Sequence, residues 1–216
     1  MSTKSLRVVL SLQRVSLLLI AAIWSAAGCS SDPTLRLTSA RDHRTYTQSF
    51  TSAYAAREAD GDVDVVLLDE PTSDSAPAPV RQVMHIRMLW NPTRDLKADH
   101  NSASNATVHW YVLGNQTQTR ADVLEYSGTA FVSLDDSGGS TELTIGSATL
   151  KPAACRGAMC DPVGPSSVHG TFTARNDRRR VAQVLAGVRT AVAAANAAAR
   201  DASFRTKPES PSSSAR

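Results

Sequence analysis

What this 216-residue sequence has little of narrows its class before any motif is read. Aromatics are 5% of the chain, while hydrophobic residues at 42% and charged residues at 20% stay ordinary. That balance excludes a collagenous, coiled-coil or wholly disordered chain. Long apolar runs are nearly missing as well. One occurs near the start, so a polytopic membrane protein is excluded. Charge of one sign is also lacking: the formal +3 traces to Lys4, Arg7 and Arg14 in the first 28 residues, which hold no Asp or Glu. Removing those three leaves 20 basic against 20 acidic residues, and with no basic domain the chain is not expected to bind nucleic acid. No G-x-S-x-G elbow, phosphate loop, H-E-x-x-H or dinucleotide fingerprint occurs. Catalytic groups can be scattered, so this lowers an enzyme reading without removing it. No cofactor is expected.

Residues 1–28 begin basic and continue into an apolar stretch from Val15 to Ala27 broken by Ser16 and Ser25. Thirteen residues are too few to cross ~30 Å of hydrocarbon at 1.5 Å per helical residue, and the stretch reads as a signal-peptide core. Ser25, Ala26, Ala27 and Gly28 then lead to Cys29. Here the chain resembles a bacterial lipoprotein precursor, in which small residues precede a cysteine that is lipidated and becomes the new N-terminus after cleavage. Ala26 stands where that family most often has Leu. The resemblance implies lipidation at Cys29 and anchoring to a cell-envelope membrane. It covers about 29 residues and leaves the following domain unrecognised. Ser30 resembles an outer-membrane sorting signal, so the expected location is the outer membrane or the outer face of the inner membrane. The other reading is an ordinary signal peptide with Cys29 an incidental thiol.

Export places Cys155 and Cys160 where disulfides persist, and four residues separate them. A structural bridge is the expectation. A redox motif would have two intervening residues, and a zinc site would need further ligands at finger-like spacing.

Residues 29–43, with Asp32-Pro33 and several Ser and Thr, read as a flexible tether. Residues 202–216, with Pro208, Pro211 and serines from Ser212 to Ser214, read as a disordered tail. Residues 44–201 then form one domain. The pattern predicts seven strands: 44–57 with Tyr46, Phe50 and Tyr54 on one side; 63–68 after an Asp60-Gly61 turn; 80–90; 106–113; 124–134 with Gly128 as a bulge; a partner from Leu143; and a last strand through Val168, Phe172 and Ala174. A helix follows over 177–201, capped by Asn176 or Asp177, with a stripe of Val181, Val184, Leu185, Val188, Val192 and Ala195. The expected fold class is α+β: an antiparallel β-sheet or sandwich of about seven strands with one C-terminal α-helix packed on it.

Two groups carry the functional expectations. His85 and His109 share a polar strand face if 80–90 and 106–113 pair, and His100 lies in the loop between; these three are weak metal candidates, and no metal is assigned. The loop 91–105 offers Arg94, Asp95, Lys97, Asp99 and His100 to a partner, with Trp90 and Trp110 expected to hold its ends on the core. Asp60, Asp62 and Asp64 begin like a calcium loop, but Val65 and Pro71 stand where Gly and Glu are required. Arg178, Arg179 and Arg180 in the first helical turn oppose the macrodipole and call for an acidic neighbour, such as Asp135-Asp136 or anionic headgroups. The sequence therefore reads as a lipid-anchored envelope protein that binds or assembles, with a neighbouring envelope protein as candidate partner. The alternatives are a periplasmic small-ligand-binding module and, behind it, a histidine-dependent metal site or hydrolase.

Overall fold

The computed structural model describes residues 32–69, 81–90, 104–117, 120–157 and 161–205. Nine strands follow in chain order: β1 (Thr34–Ser39), β2 (Thr45–Ser49), β3 (Ser52–Arg57), β4 (Val63–Asp69), β5 (Arg81–Met88), β6 (Ala106–Thr117), β7 (Arg120–Ser137), β8 (Ser140–Arg156) and β9 (Ser166–Asn176). They form one mixed sheet in the order β2-β1-β9-β3-β4-β5-β6-β7-β8, and β8 pairs back on β9. That last pairing closes β3 to β9 into a barrel, so that β8 is not left as an edge, while β2, paired with β1 alone among the described residues, remains one. β1 and β2 extend from the wall at β9.

Alternation sends one set of side chains inward. Val65, Met84, Ile86, Val108, Tyr126, Val132, Leu143 and Val168 are all fully buried in a single interior cluster that also holds Phe50, Trp110 and Phe172. β4 is buried on both faces: Val63, Val65 and Leu67 line the interior, while Val66 and Leu68 lie under the helix. A strand between two apolar layers loses its alternating signature and reads as a continuous hydrophobic run.

The helix α1 (Arg178–Arg205) lies on the outer wall. Asp177 caps it, its Oδ1 accepting the Arg180 N–H at 2.9 Å. Val181, Val188 and Ala195 are buried, each seven residues from the next. Val181, Val184 and Leu185 pack on Tyr54, Ala56, Val66 and Leu68, and Ala191, Val192 and Ala195 pack on Tyr111, Leu113 and Val123. By length and composition, Arg178–Asp201 is also long and apolar enough to cross a membrane.

The β-rich domain with one C-terminal helix agrees with the sequence reading, and four details differ. The helix runs on to Arg205, so residues 202–205 are helical and not part of a disordered tail. Residues 34–39 are not tether: Leu35 and Leu37 are fully buried, and β1 pairs with β2 and β9. The expected strand 44–57 is two strands. β1 ends its pairing with β2 at Thr34, and beyond that point the chain steps across at Phe50-Thr51, so that β3 pairs directly and in parallel with β9. With β1 added and one strand split, seven becomes nine, and the sheet is mixed rather than antiparallel. The step also puts Tyr54 on the outer face, opposite Phe50 and Tyr46, which belong to the interior. Gly128 is not a bulge. The register shifts lie to either side of it and add Ala153 and Gly146 on β8. Gly128 instead allows close approach, since a Cβ there would stand 1.7 Å from the Thr149 carbonyl oxygen.

Candidate functional site

His85 on β5 and His109 on β6 are direct register partners on the outer face, as the alternation predicts. Each turns to a carboxylate on its other neighbouring strand. His85 Nε2 lies 2.7 Å from Asp64 Oδ1, and His109 Nδ1 lies 3.3 Å from Glu125 Oε1. Both are diagonal cross-strand contacts, since Asp64 faces Arg87 and Glu125 faces Tyr111 in the register. Arg87 in turn reaches Asp62, with Nη2 to Oδ2 at 2.7 Å. The hydrogen bond with His85 holds the Asp64 carboxyl below the ordinary carboxylate range against the opposing push of burial, with further help from the charges of His85 and Arg87.

The row continues to the helix. Glu125 Oε2 lies 3.6 Å from Arg156 Nη1, and Arg156 Nε donates to Asn196 Oδ1 on α1. The Tyr111 ring stacks on His109 at 6.0 Å between centroids. Burial, reinforced by the Glu125 charge, pushes the Tyr111 hydroxyl up. Paired groups thus run across β4 to β8: Asp62 with Arg87, Asp64 with His85, and His109 with Glu125 and Arg156. A carboxylate on one imidazole nitrogen fixes the ring and its tautomer, which suits a proton relay or a positioned donor. Among the described residues, neither ring is hydrogen-bonded to a hydroxyl or thiol, and no group of three His, Cys, Asp or Glu is placed to hold a metal ion. His100 lies outside the described residues.

A second polar centre has no counterpart in the sequence reading. Tyr126, fully buried on the inner face of β7, donates to Asp161 in the connection from β8 to β9. The Val163 and Gly164 N–H groups donate to the same Asp161 oxygen, and Arg41 from the β1–β2 turn bonds the other at 3.0 Å. Four donors converge on one carboxylate at the barrel end. The available signal was Asp161-Pro162-Val163-Gly164, an Asx-type turn that cannot announce a long-range tyrosine.

At the start of α1 an open cleft of about 500 Å³ is lined by residues including Arg57, Asp136, Thr141, Asn176 and Arg178. Its cations are paired: Arg57 with Asp136 and Arg178 with Glu58, each at 2.6 Å. Glu58, rather than Asp135-Asp136, is therefore the acidic neighbour of Arg178. The Arg180 guanidinium stands over the Tyr54 ring at 5.8 Å.

The expected binding-loop residues Arg94, Asp95, Lys97, Asp99 and His100 lie outside the described residues, as do Cys29 and Cys160. Cys155 is exposed near the end of β8. Trp110 is buried, stacked on Tyr126 at 4.9 Å, and donates to Gln82 Oε1 at 3.2 Å. Trp90 does not share that role. β5 ends at Met88, and Trp90 is 43% exposed. Asn105 holds this end instead. Its Nδ2 donates to the Trp90 and Val132 carbonyls, while its Oδ1 accepts the Val132 N–H at 2.8 Å. The chain matches no protein-family model, no curated protein and no solved structure.

Proposed function

We propose that this is a lipid-anchored cell-envelope protein, held to a bacterial membrane through Cys29 after removal of residues 1–28, and that its β domain acts by binding or assembly rather than catalysis. The order of features carries the reading: a basic start, a short apolar core, small residues, a cysteine, and then a folded domain whose first strand begins at Thr34. Such an order suits delivery of a domain to a membrane surface. Two or more acyl chains on Cys29 would anchor it stably.

The barrel interior is filled by its own side chains, among them Phe50, Trp110, Tyr126 and Phe172. Recognition then falls to the outer surface, and the half-buried histidines serve there as fixed polar groups within strand-to-strand pairs. Replacing Cys29 with Ser tests the anchor: the variant should leave the membrane fraction and take up no labelled fatty acid. A wild-type protein that is itself soluble and unlabelled would overturn the proposal. The Cys155–Cys160 bridge belongs to the same reading, and mass spectrometry of non-reduced envelope material should find both residues in one linked peptide.

A further inference from the structure

Which wall of the barrel faces the membrane follows from where the chain enters it. Cys29 stands three residues before Asp32, and three fully extended residues span only ~10 Å. The exposed Asp32 leads into β1 partway along the wall, where the Phe50 N–H bonds the Pro33 carbonyl at 2.8 Å and Thr34 pairs with Ser49. This entry point belongs to the wall made by β2, β1 and β9. The helix packs on other strands, with its contacts on Tyr54, Val66, Leu113 and Val123 of β3, β4, β6 and β7.

The composition of that wall fits a headgroup surface. Outward positions of β1, β2 and β9 are threonines and serines with Arg36 and His169, and they include no carboxylate; Arg175, near the C-terminal end of β9, turns instead to β3, its Nη2 donating to the Tyr54 hydroxyl at 3.1 Å. Arg36 and His169 are register partners at a shallow open cleft of about 320 Å³, which Thr34 and Thr47 also line. The His169 ring is oriented by its Nδ1, which donates to the Gly146 carbonyl at 2.7 Å. Guanidinium and hydroxyl groups are donors suited to phosphate oxygens. A contact too weak to hold a free protein becomes persistent when a short tether keeps it at high effective concentration.

We propose that the β2–β1–β9 wall rests on the membrane surface, with Arg36 and the neighbouring threonine hydroxyls against lipid phosphates, so that the outer side of α1 faces away from the bilayer. This rests on anchoring through Cys29. The test uses the full-length lipidated protein in vesicles of phosphatidylethanolamine and phosphatidylglycerol, with the photoreactive residue p-benzoylphenylalanine replacing either Thr47 or Ala186. Thr47 is exposed on β2 and Ala186 is exposed on α1. Lipid adducts read by mass should be at least fivefold more abundant at position 47. Inserting twenty Gly and Ser residues after Ser31 should remove that preference while leaving the protein in the membrane fraction. Equal adducts at both positions, or more at 186, in protein that remains membrane-bound would overturn the wall assignment and leave the anchor standing. Wild-type protein absent from the membrane fraction would overturn the anchor and this proposal together.

Discussion

The Tyr126 hydroxyl donates to Asp161 Oδ1 at 2.5 Å across 35 residues of sequence, joining the barrel interior to the loop that closes its end. Burial pushes the Asp161 carboxyl upward, but bonds from Tyr126, Gly164 and Val163 and the charge of Arg41 outweigh it, and its pKa falls below the ordinary 3.8. The Tyr126 hydroxyl is raised well above the ordinary 10.0, first by burial and then by its bond to Asp161.

Those directions fix a pH window. Asp161 binds protons more weakly folded than unfolded, so its contribution is present above pH 3.8 and is lost as pH falls through the folded value. Tyr126 holds its proton more tightly when folded, so its contribution is present below pH 10.0 and is lost as pH rises through the folded value. Urea midpoints measured from pH 2 to 11 should fall at both ends. Tyr126→Phe should lower stability by ~1.5–3 kcal/mol near neutrality, the range for a hydrogen bond to a charged group, and should flatten the alkaline limb. An unchanged alkaline limb would assign that titration elsewhere.

Asn105 stands in for a backbone unit. Its side-chain amide meets both the N–H and the C=O of Val132, and its own backbone N–H bonds Ala130 O at 3.0 Å. Asn105→Ala would leave the Val132 groups without partners inside the protein, and a loss of ~2–4 kcal/mol is expected from two or more buried bonds. Hydrogen exchange at the Val132 amide should accelerate more than at Val108, which lies deeper in the sheet. Equal acceleration at both would show global destabilisation without a local clamp.

How much of this was legible depends on the period of each segment. β5 and β6 alternate cleanly, and with them came the His85–His109 pairing and the inward set around Ile86 and Val108. The α1 stripe was equally plain because Val181, Val188 and Ala195 recur on one face. β1 was missed because Leu35 and Leu37 are its only large apolar residues, too few to outweigh the polar neighbours around Pro33. The step at Phe50-Thr51 was missed because the inserted strand that forces it lies earlier in the chain. Barrel closure depends on β8 meeting β9 while β9 also meets β3, a three-strand relation that no local pattern encodes. The Tyr126–Asp161 bond shares that cause, since each partner alone looks like an ordinary strand tyrosine or turn aspartate.

The helix gives a graded test of burial. Val188 is 5% exposed, whereas Leu185 is only half-buried at the edge of its cluster. Val188→Asp should therefore destabilise by several kcal/mol, because a carboxylate would be forced against the barrel wall. Leu185→Asp should cost less, since its carboxylate can turn toward water. Thermal melts of the two variants decide the order. The reverse ranking would mean that the helix sits rotated from the face carrying Val181, Val188 and Ala195.

Two glycines separate the cost of backbone conformation from the cost of space. Gly61 has a φ of +93° in the β3–β4 turn, and a Cβ there would meet nothing within 4 Å. Gly61→Ala therefore carries only the penalty of a side chain at positive φ, about 1–2 kcal/mol. Gly128 has the opposite problem: the added Cβ would fall 1.7 Å from Thr149 O and 2.8 Å from its carbonyl carbon. Those atoms belong to the β8 backbone, which is tied to both β7 and β9 and cannot swing aside like a flexible side chain. Gly128→Ala must push β8 away from its neighbour β7 and disturb ladder bonds on both sides of β8. The expected loss exceeds the ~1–3 kcal/mol typical of overpacking, enough to shift the protein into the insoluble fraction on expression. Urea titration of both variants gives the comparison, and a Gly128→Ala midpoint equal to that of Gly61→Ala would show that β7 and β8 do not approach as closely as described.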